Sequence, residues 1–532
     1  MTAGAAGPAM DAAAWDVIVV GGGSAGAIMA ARLSEDPARR VLLLEAGRDW
    51  RADEAPPEMR SANPLRIIAP PHLQQEWQFP GLMARRTAVQ DSKLYWRGRG
   101  LGGSSAINGQ IAIRGAMAAF DDWAEMGCEG WSGAEVLPYF KRFEADPDGA
   151  PGAHGADGPI PVYRAPQALW GPVDRGVHQA ALALGYPWNP DLNAPDAEGV
   201  ACYPITSIDG RRVSSNEAYL EPARARANLV IRGGALVDRV LIDGRRATGV
   251  RVRLDDGWQE IGAREVVLCA GACHTPAIMM RSGLGEPSAL QALGIMVAHA
   301  LPEVGRNLLD HPFVRVGVHL KLAHRPVDPD FRHTNVCLTY SSGLPGGSRT
   351  DMLMIAQNHR GFSAGVANPG SLAVGVYDVR SRGALHLVSP RPDDDPVLDE
   401  DMLSHPDDVA RMLDGMTRAG RIVAQPAIAG IAERLTFGLS DVPMAEWLLL
   451  DEQARVDGLL AEAADGQHAA GTCRMSAYEE PRGVVDPDAR VKGMLGLRIA
   501  DASIMPGDCR ANTNFTVMMI AEKIAAGMRA GG

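Results

Sequence analysis

Residues 16–47 read DVIVVGGGSAGAIMAARLSEDPARRVLLLEAG, and this stretch decides the fold class. Val17 to Val20 form a short apolar run rich in β-branched residues, as a buried parallel strand requires. Gly21, Gly23 and Gly26 then supply GxGxxG. Small and apolar helix formers run from Ala25 to Leu33, and Asp36-Pro37 stops them. A second apolar run, Val41 to Leu44, ends at Glu45, about 20 residues after the third glycine, the spacing of the acid that meets a ribose. Each glycine has a physical reason: the first allows a tight turn, the second lets backbone N–H groups approach a pyrophosphate, and the third lets helix and strand pack closely. The helix N-terminus would present its partial positive charge to the phosphates. Strand, helix, second strand and acid together predict a dinucleotide site. The motif alone is equally compatible with FAD and NAD, and a tight turn without a ligand is the bland alternative.

The 532 residues are 46% hydrophobic, enough for a large core and more than one domain. A net charge of −12 argues against nucleic acid or an anionic membrane as partner. No apolar run approaches the ~20 residues of a transmembrane helix. The opening MTAGAAGPAM lacks a basic start and apolar core, so it reads as a disordered lead-in, not a secretory signal. Seven widely spaced cysteines suggest neither a disulfide framework nor zinc. Cys273-His274 has no second ligand pair nearby and reads as structural, with no metal expected. A reducing, cytoplasmic home is the default expectation.

Residues 48–90 carry so many breakers that they read as a long surface excursion. A second glycine-rich loop follows, leading into Ile111 and Ile113; its small residues allow close backbone approach to a ligand. Residues 120–143 read as helix, turn, helix, and 146–160 as a loop. Strands near 229–232, 236–242, 247–254 and 258–261, separated by turn signals, predict a β-meander. Residues 266–269 predict a further strand returning to the first sheet. Residues 313–400 predict a second sheet, and 406–425 and 445–464 predict helices.

Four motifs then converge on one family. Residues 98–108 (GRGLGGSSAIN) with Ala112, Gly115 and Asp121, residues 271–285 (GACHTPAIMMRSGLG), residues 304–312 (VGRNLLDHP), and the C-terminal set HAAGTCRM at 468–475, DAS at 501–503 and NTNFTV at 512–517 resemble the glucose-methanol-choline (GMC) flavin oxidoreductases. The resemblance spans residues 16–525 with the motifs in family order, and is strongest to bacterial aryl-alcohol and hydroxymethylfurfural-type oxidases. It implies an α/β fold with α+β elements: a Rossmann-like FAD-binding domain and a substrate domain built on an antiparallel sheet flanked by helices. The FAD domain would comprise residues 1–165, 211–312 and 462–532, and the substrate domain 166–210 and 313–461. By resemblance, Gly21, Gly23, Ser24, Ala25 and Gly26 take the pyrophosphate, and Glu45 and Ala46 the adenosine ribose. Leu101, Gly103, Ser104, Asn108 and Gly109 pass near the pyrophosphate and isoalloxazine. Val237 meets adenine, and Asp501, Ala502 and Thr513 lie near the ribityl chain and flavin. Some members join FAD covalently to a histidine in the glycine loop; Ile107 stands there, so non-covalent FAD is expected.

The resemblance makes His468 the catalytic base. Oxidising an alcohol requires loss of the hydroxyl proton as hydride leaves carbon, and histidine titrates in the right range. Its positive charge, once protonated, would also assist electron transfer to oxygen. Asn512 would position the substrate oxygen, since an amide is a poor base; a helix cap is its other reading. Gly466 and Gln467 stand where hydroxymethylfurfural oxidases carry an apolar residue and an aromatic, which predicts a more open, more polar pocket for a hydroxymethyl-pyridine or substituted benzyl alcohol. The expected partners are a small-molecule primary alcohol and O2, with aldehyde and H2O2 as products. Alternatives are a dehydrogenase passing electrons to a quinone or other carrier, and a lyase of the same fold in which flavin is structural. The second glycine loop and the C-terminal motif disfavour an NAD dehydrogenase. Monomer and dimer are both compatible with the sequence.

Overall fold

The computed structural model describes residues 15–531 apart from 69, 196 and 364. The lead-in MTAGAAGPAM lies outside them. The first sheet is built from β1 (Trp15–Val20), β2 (Val41–Leu44), β3 (Leu229–Arg232), β4 (Leu236–Asp243), β5 (Arg246–Leu254), β6 (Gly257–Leu268) and β7 (Leu497–Ile499), in the order β3-β2-β1-β6-β5-β4 with β7 also pairing β6. Three helices cover it or begin at its edge: α1 (Ser24–Leu33), α2 (Gly271–Arg281) and α3 (Thr513–Ala530). β1 and β2 are apolar on both faces because both faces are covered, and Val19, Leu42 and Leu43 retain no accessible surface. α1 packs on α3, whose Phe515, Met518, Met519 and Ile520 are buried.

The sheet corrects two expectations. Residues 229–232 form a strand but do not belong to the meander; β3 pairs parallel with β2, Leu229 opposite Val41 through Arg232 opposite Leu44. Residues 266–269 are not a separate strand either. β6 runs on unbroken, antiparallel to β5 from Gly257 to Gly262 and parallel to β1 from Ala263 to Leu268. One strand thus belongs to both the meander and the dinucleotide-binding layer, which carries the chain directly into Cys269 and α2 beside the glycine turn.

The stretch after Gly47 is also not a surface excursion. It forms short helices at Pro57–Arg60, Leu65–Ile68 and Pro71–Trp77 and a strand at Met83–Arg85, and it buries Trp50, Met59, Ile67, Leu73, Trp77 and Leu82. Its prolines begin helices, a position where the missing N–H costs nothing. Two strands expected in the second sheet, Ala384–His386 and Val397–Asp399, instead extend Met83–Arg85. The expected helix 445–464 is two, Met444–Trp447 and Glu452–Glu462, because Asp451 caps a fresh start by accepting from the Ala454 N–H at 2.9 Å.

The second sheet runs Ala432–Phe437, Pro312–Leu320, Gly370–Val376, Met352–Gln357, Val336–Tyr340, Gly199–Cys202 and Trp188–Asn189. All pairs are antiparallel except the last. Val314, Val316 and Val318 pack on one face with Met412 and Met416 of the helix Pro406–Val423. Phe313, Cys337, Leu353 and Ala373 join the other core, which is continuous with the first sheet. Among the described residues, no helix is long and apolar enough to cross a membrane, and all seven cysteines are free and buried.

Candidate active site

A cleft of about 410 Å3 runs from the end of β1 to the N-terminus of α3. Gly21, Gly23, Ser24, Ala25, Glu45, Ala46, Gly103, Ser104, Asn108, Gly109, Val237, Asp501, Ala502 and Thr513 all line it, with Gly466, Gln467, His468 and Asn512. Residues more than 400 positions apart in sequence are therefore brought to one cavity.

The glycine positions show why no other residue would serve. Gly21 has φ +98°, and a Cβ there would lie 2.6 Å from the Cys269 carbonyl oxygen. A Cβ on Gly103 would lie 2.7 Å from Gly23 Cα, so the two glycine loops face each other at a distance closed to side chains. Gly23 begins α1 without a side-chain cap, and the first turn contains no acid, so its N–H groups keep their capacity for an anion. This cradle fits a dinucleotide pyrophosphate.

Two of the expected cofactor residues do not line the cleft. Gly26 lies behind it, where a Cβ would come 1.7 Å from the Gly21 carbonyl oxygen; it permits the close packing of helix on strand. Leu101 is fully buried and fills the space beside Gly22, because the loop turns its side chain inward. Two others do line the cleft but are already engaged. The Glu45 carboxylate accepts from Gly22 N at 2.7 Å, Gly47 N at 2.8 Å and Gly100 N at 2.9 Å, so it ties the two glycine loops together. The Asp501 carboxylate accepts from Gly271 N (2.8 Å), Thr275 Oγ1 (2.6 Å), Ser503 N (2.8 Å) and Ser503 Oγ (2.6 Å), which fixes the start of α2 and leaves little for a ligand. Cys273 is buried, and His274 hydrogen-bonds Asp395 at 3.0 Å and packs on the Phe79 ring.

His468 and its partner His311 are delivered by neighbouring strand ends. His311 immediately precedes Pro312–Leu320, and the short strand Ala464–Asp465 pairs with it, Pro312 opposite Asp465. The Gly466 N–H donates to the His311 carbonyl at 2.9 Å, and the Asp310 carboxylate accepts from His468 N at 2.9 and 3.0 Å. A Cβ on Gly466 would lie 2.7 Å from His468 Nδ1, so glycine is required for this ring position.

The side chains form a line. Asn512 Nδ2 lies 3.0 Å from His468 Nε2, His468 Nδ1 lies 2.8 Å from His311 Nδ1, and His311 Nε2 lies 2.9 and 3.0 Å from the Asp508 oxygens. With both histidines neutral, donor and acceptor matching assigns the protons: the Asn512 amide donates to His468 Nε2, His468 Nδ1–H donates to His311, and His311 Nε2–H donates to Asp508. Tyr377 stacks on His311 with centroids 4.2 Å apart and reaches the Asn512 oxygen at 3.5 Å. Asn512 occupies the N-cap position of α3 yet makes no capping bond, so its amide is turned to His468 instead.

Electrostatics separate the two histidines. Burial, then the neighbouring His311 and Arg97, push His468 well below the ordinary histidine range, so it is neutral at pH 7. Burial also disfavours a charged His311, but the Asp508 charge and hydrogen bond outweigh it and raise its pKa. Asp508 in turn falls to about 2, because His311 outweighs its own burial. An added proton therefore settles on His311.

Sequence reasoning singled out His468 and missed His311, Asp508, Tyr377 and Arg97. Asp310-His311 was within reach, since it sits in the VGRNLLDHP motif; Asp508 and Tyr377 carry no local signal. Gln467 lines the cleft as expected, but its side chain is not free to make the pocket polar. Its amide nitrogen bonds Asp465, and Arg97 donates to its side-chain oxygen at 3.3 Å and its backbone carbonyl at 2.9 Å.

Two models of the GMC oxidoreductase family match residues 15–313 and 379–521. The chain belongs to the GMC oxidoreductases. It is 35% identical to the 5-(hydroxymethyl)furfural oxidase of Methylovorus sp. (strain MP688), over 96% of this chain and 98% of that protein. It is also 35% identical to the oxygen-dependent choline dehydrogenase of Ectopseudomonas mendocina (strain ymp), over 97% and 94% of the two chains. Among solved structures, pyridoxine 4-oxidase from Mesorbium loti superposes with a TM-score of 0.86 at 30% identity, covering 97% of this chain and 99% of that one. This GMC oxidoreductase thus has the family fold along nearly its whole length, and the family implies a flavin cofactor.

Proposed function

We propose that this GMC oxidoreductase oxidises a primary aromatic or heteroaromatic alcohol to the aldehyde, with O2 reduced to H2O2. The observation that carries the reading is the neutral His468 Nε2 facing the Asn512 amide at 3.0 Å, with His311 and Asp508 aligned behind it. Gly21, Gly23, Ser24, Ala25 and the facing Gly103–Ser104 would hold FAD, with Val237 at the adenine end and Ala502 and Thr513 at the flavin end. Bound FAD supplies the hydride acceptor that alcohol oxidation requires.

The protein's own residues manage the proton. A substrate hydroxyl that takes the place of the direct Asn512–His468 hydrogen bond donates to His468 Nε2 while the Asn512 amide holds its oxygen. His468 then carries protons on both nitrogens, and its Nδ1 proton shifts across the 2.8 Å contact to His311 Nδ1. The positive charge comes to rest beside Asp508, and Nε2 retains the substrate proton. Charge is thus taken up by a group prepared for it, which lowers the cost of the proton transfer at a buried site.

Ile107, Ile111, Trp96 and Gln467 also line the cleft, and its apolar and aromatic surface suits a flat ring bearing CH2OH. Gly466 makes room for the His468 and Phe313 rings, and Gln467 is tied up by Asp465 and Arg97, so neither residue supplies the openness or polarity expected of it. The names of the furfural and pyridoxine relatives support a ring-bearing primary alcohol. Both of those are named oxidases, and the choline relative is named oxygen-dependent, which supports O2 as the acceptor. Ile107 carries no nucleophile, which supports non-covalent FAD: acid precipitation should release the flavin, and flavin remaining in the pellet would contradict this. The division of the chain into cofactor and substrate domains at the boundaries given above belongs to the same proposal.

The test mixes the purified yellow protein with a panel of benzyl, pyridyl and furfuryl alcohols without oxygen. Bleaching by ring-bearing alcohols followed by recolouring in air is expected. Persistent colour with every alcohol would overturn the reading, and bleaching that air does not reverse would replace the oxidase with a dehydrogenase.

A further inference from the structure

Residues 309–312 and 465–470 run antiparallel, but the two segments do not match in length. Leu309 bridges Ala470, and Pro312 lies opposite Asp465. Between these anchor points, residues 310 and 311 on one side face residues 466–469 on the other. The surplus must bulge out of the ladder, and His468 rides on that bulge into the cleft. Gln467, just before it, has φ +61°, the left-handed region that a residue other than glycine keeps only where its surroundings hold it there.

A bulge takes its backbone groups away from the ladder, and once buried they need other partners. Three side chains supply them. Arg97 donates to the Gln467 carbonyl at 2.9 Å, the Asp310 carboxylate accepts from His468 N at 2.9 and 3.0 Å, and the Tyr95 hydroxyl accepts from Ala469 N at 3.0 Å. The three are also bonded to one another: Tyr95 donates its hydroxyl proton to Asp310 Oδ2 and accepts from Arg97 Nη2 at 2.7 Å. The hydroxyl thereby uses its one proton and both lone pairs. The Tyr95 ring is fully buried, and the Arg97 guanidinium lies over it, 4.2 Å from the centroid.

Asp310 does more than hold the bulge. The same carboxylate accepts from the His311 N–H at 2.7 Å, so it grips the backbone of both histidines at once. The 2.8 Å contact between their Nδ1 atoms rests on that shared anchor. Without the Tyr95 hydroxyl, Asp310 is free to turn and the Ala469 N–H loses its buried acceptor. A misplacement of about 1 Å at such a contact costs roughly a hundredfold in rate.

We propose that Tyr95 is a positioning residue of the reaction: its hydroxyl locks Asp310 and Ala469, so that the bulge holds His468 within proton-transfer distance of His311. This rests on the proton relay proposed above. The test is Y95F, which removes the hydroxyl and keeps the ring, titrated anaerobically with benzyl alcohol as holoenzyme of wild-type flavin content. The limiting rate of flavin reduction is expected to fall at least about tenfold, while the Kd of the alcohol changes by less than about twofold. Protein labelled with 15N-histidine supplies a readout without turnover. The His468 Nδ1–H shared with His311 should give a strongly downfield imidazole proton signal in the wild type, missing from H468A and lost in Y95F. A Y95F that keeps the wild-type rate or keeps the signal, whatever its Tm, overturns the proposal and leaves the relay standing. A wild type without the signal overturns it too, because the two rings would then not be held in contact. Should Y95F lose its flavin, R97K, whose single ammonium cannot hold both Tyr95 and Gln467, is read by the same two measures. If no alcohol reduces the flavin, the alcohol reading fails and the signal alone decides: its loss in Y95F upholds the positioning, and its retention removes it.

Discussion

In the proposed reaction, Asp508 sets the working pH of a site it never enters. Its charge raises the proton affinity of His311. A protonated His311 donates from Nδ1, which forces neutral His468 to carry its proton on Nε2, the atom that must be free to accept one. Activity is therefore present above the His311 pKa and lost as pH falls through it. In D508N that pKa falls, so the acid limb of kcat/KM should move to lower pH. The maximal rate should drop roughly ten- to a hundredfold, because the relayed charge loses its counter-ion. A pH–rate profile checks both, and an acid limb left in place would contradict the relay. Glu45 is a second case at this scale. It holds three backbone N–H groups of the two glycine loops, and in E45A these lose their buried acceptor at about 1–3 kcal/mol each. The variant should come off gel filtration with markedly less flavin per chain; full flavin content would show that the loops hold their shape without it.

At the scale of elements, the β1–α1–β2 unit depends on contact distances that only glycine permits. A methyl group at position 26 has nowhere to go beside a backbone oxygen 1.7 Å away, so G26A should cost about 3 kcal/mol or more and lower Tm along with flavin content. Thermal melts with and without added FAD measure this, and a wild-type Tm would refute the packing requirement. The same unit was legible in the sequence because everything it needs is local: two apolar runs, three glycines, a stop signal and an acid. The edges of β4 and β5 and the start of β6 were legible for a similar reason, since turn residues mark them, whereas the run of β6 from 261 through 268 carries no such mark. The partner of β3 was not. Its composition fits a strand, but whether a strand joins the one after it or one nearly 190 positions earlier is decided by tertiary pairing. The stretch 48–90 misled because its prolines were read as breakers, whereas several of them start helices that carry buried tryptophan and methionine side chains.

The whole molecule converges on His468 from distant parts of the chain. The motif reading paired His468 with Asn512, whose side chains do meet in the cleft, because both lie in stretches that resemble the family. It missed the line through His311 to Asp508, because residues 311, 468 and 508 meet only when the second sheet is laid against the first. In the proposed reading the N-terminal glycine motif fixes the cofactor end of the cleft, and the two strand ends of the second sheet fix the reactive end. Everything proposed for the reactive end turns on His468 taking the substrate proton. The most direct measurement is the rate of anaerobic flavin reduction by a benzyl alcohol in wild type and H468A, each with its flavin content verified. A fall of about a hundred- to ten-thousandfold in the variant is predicted, the range a positioned general base contributes. A rate unchanged from wild type would remove His468 from that role and the proton relay with it.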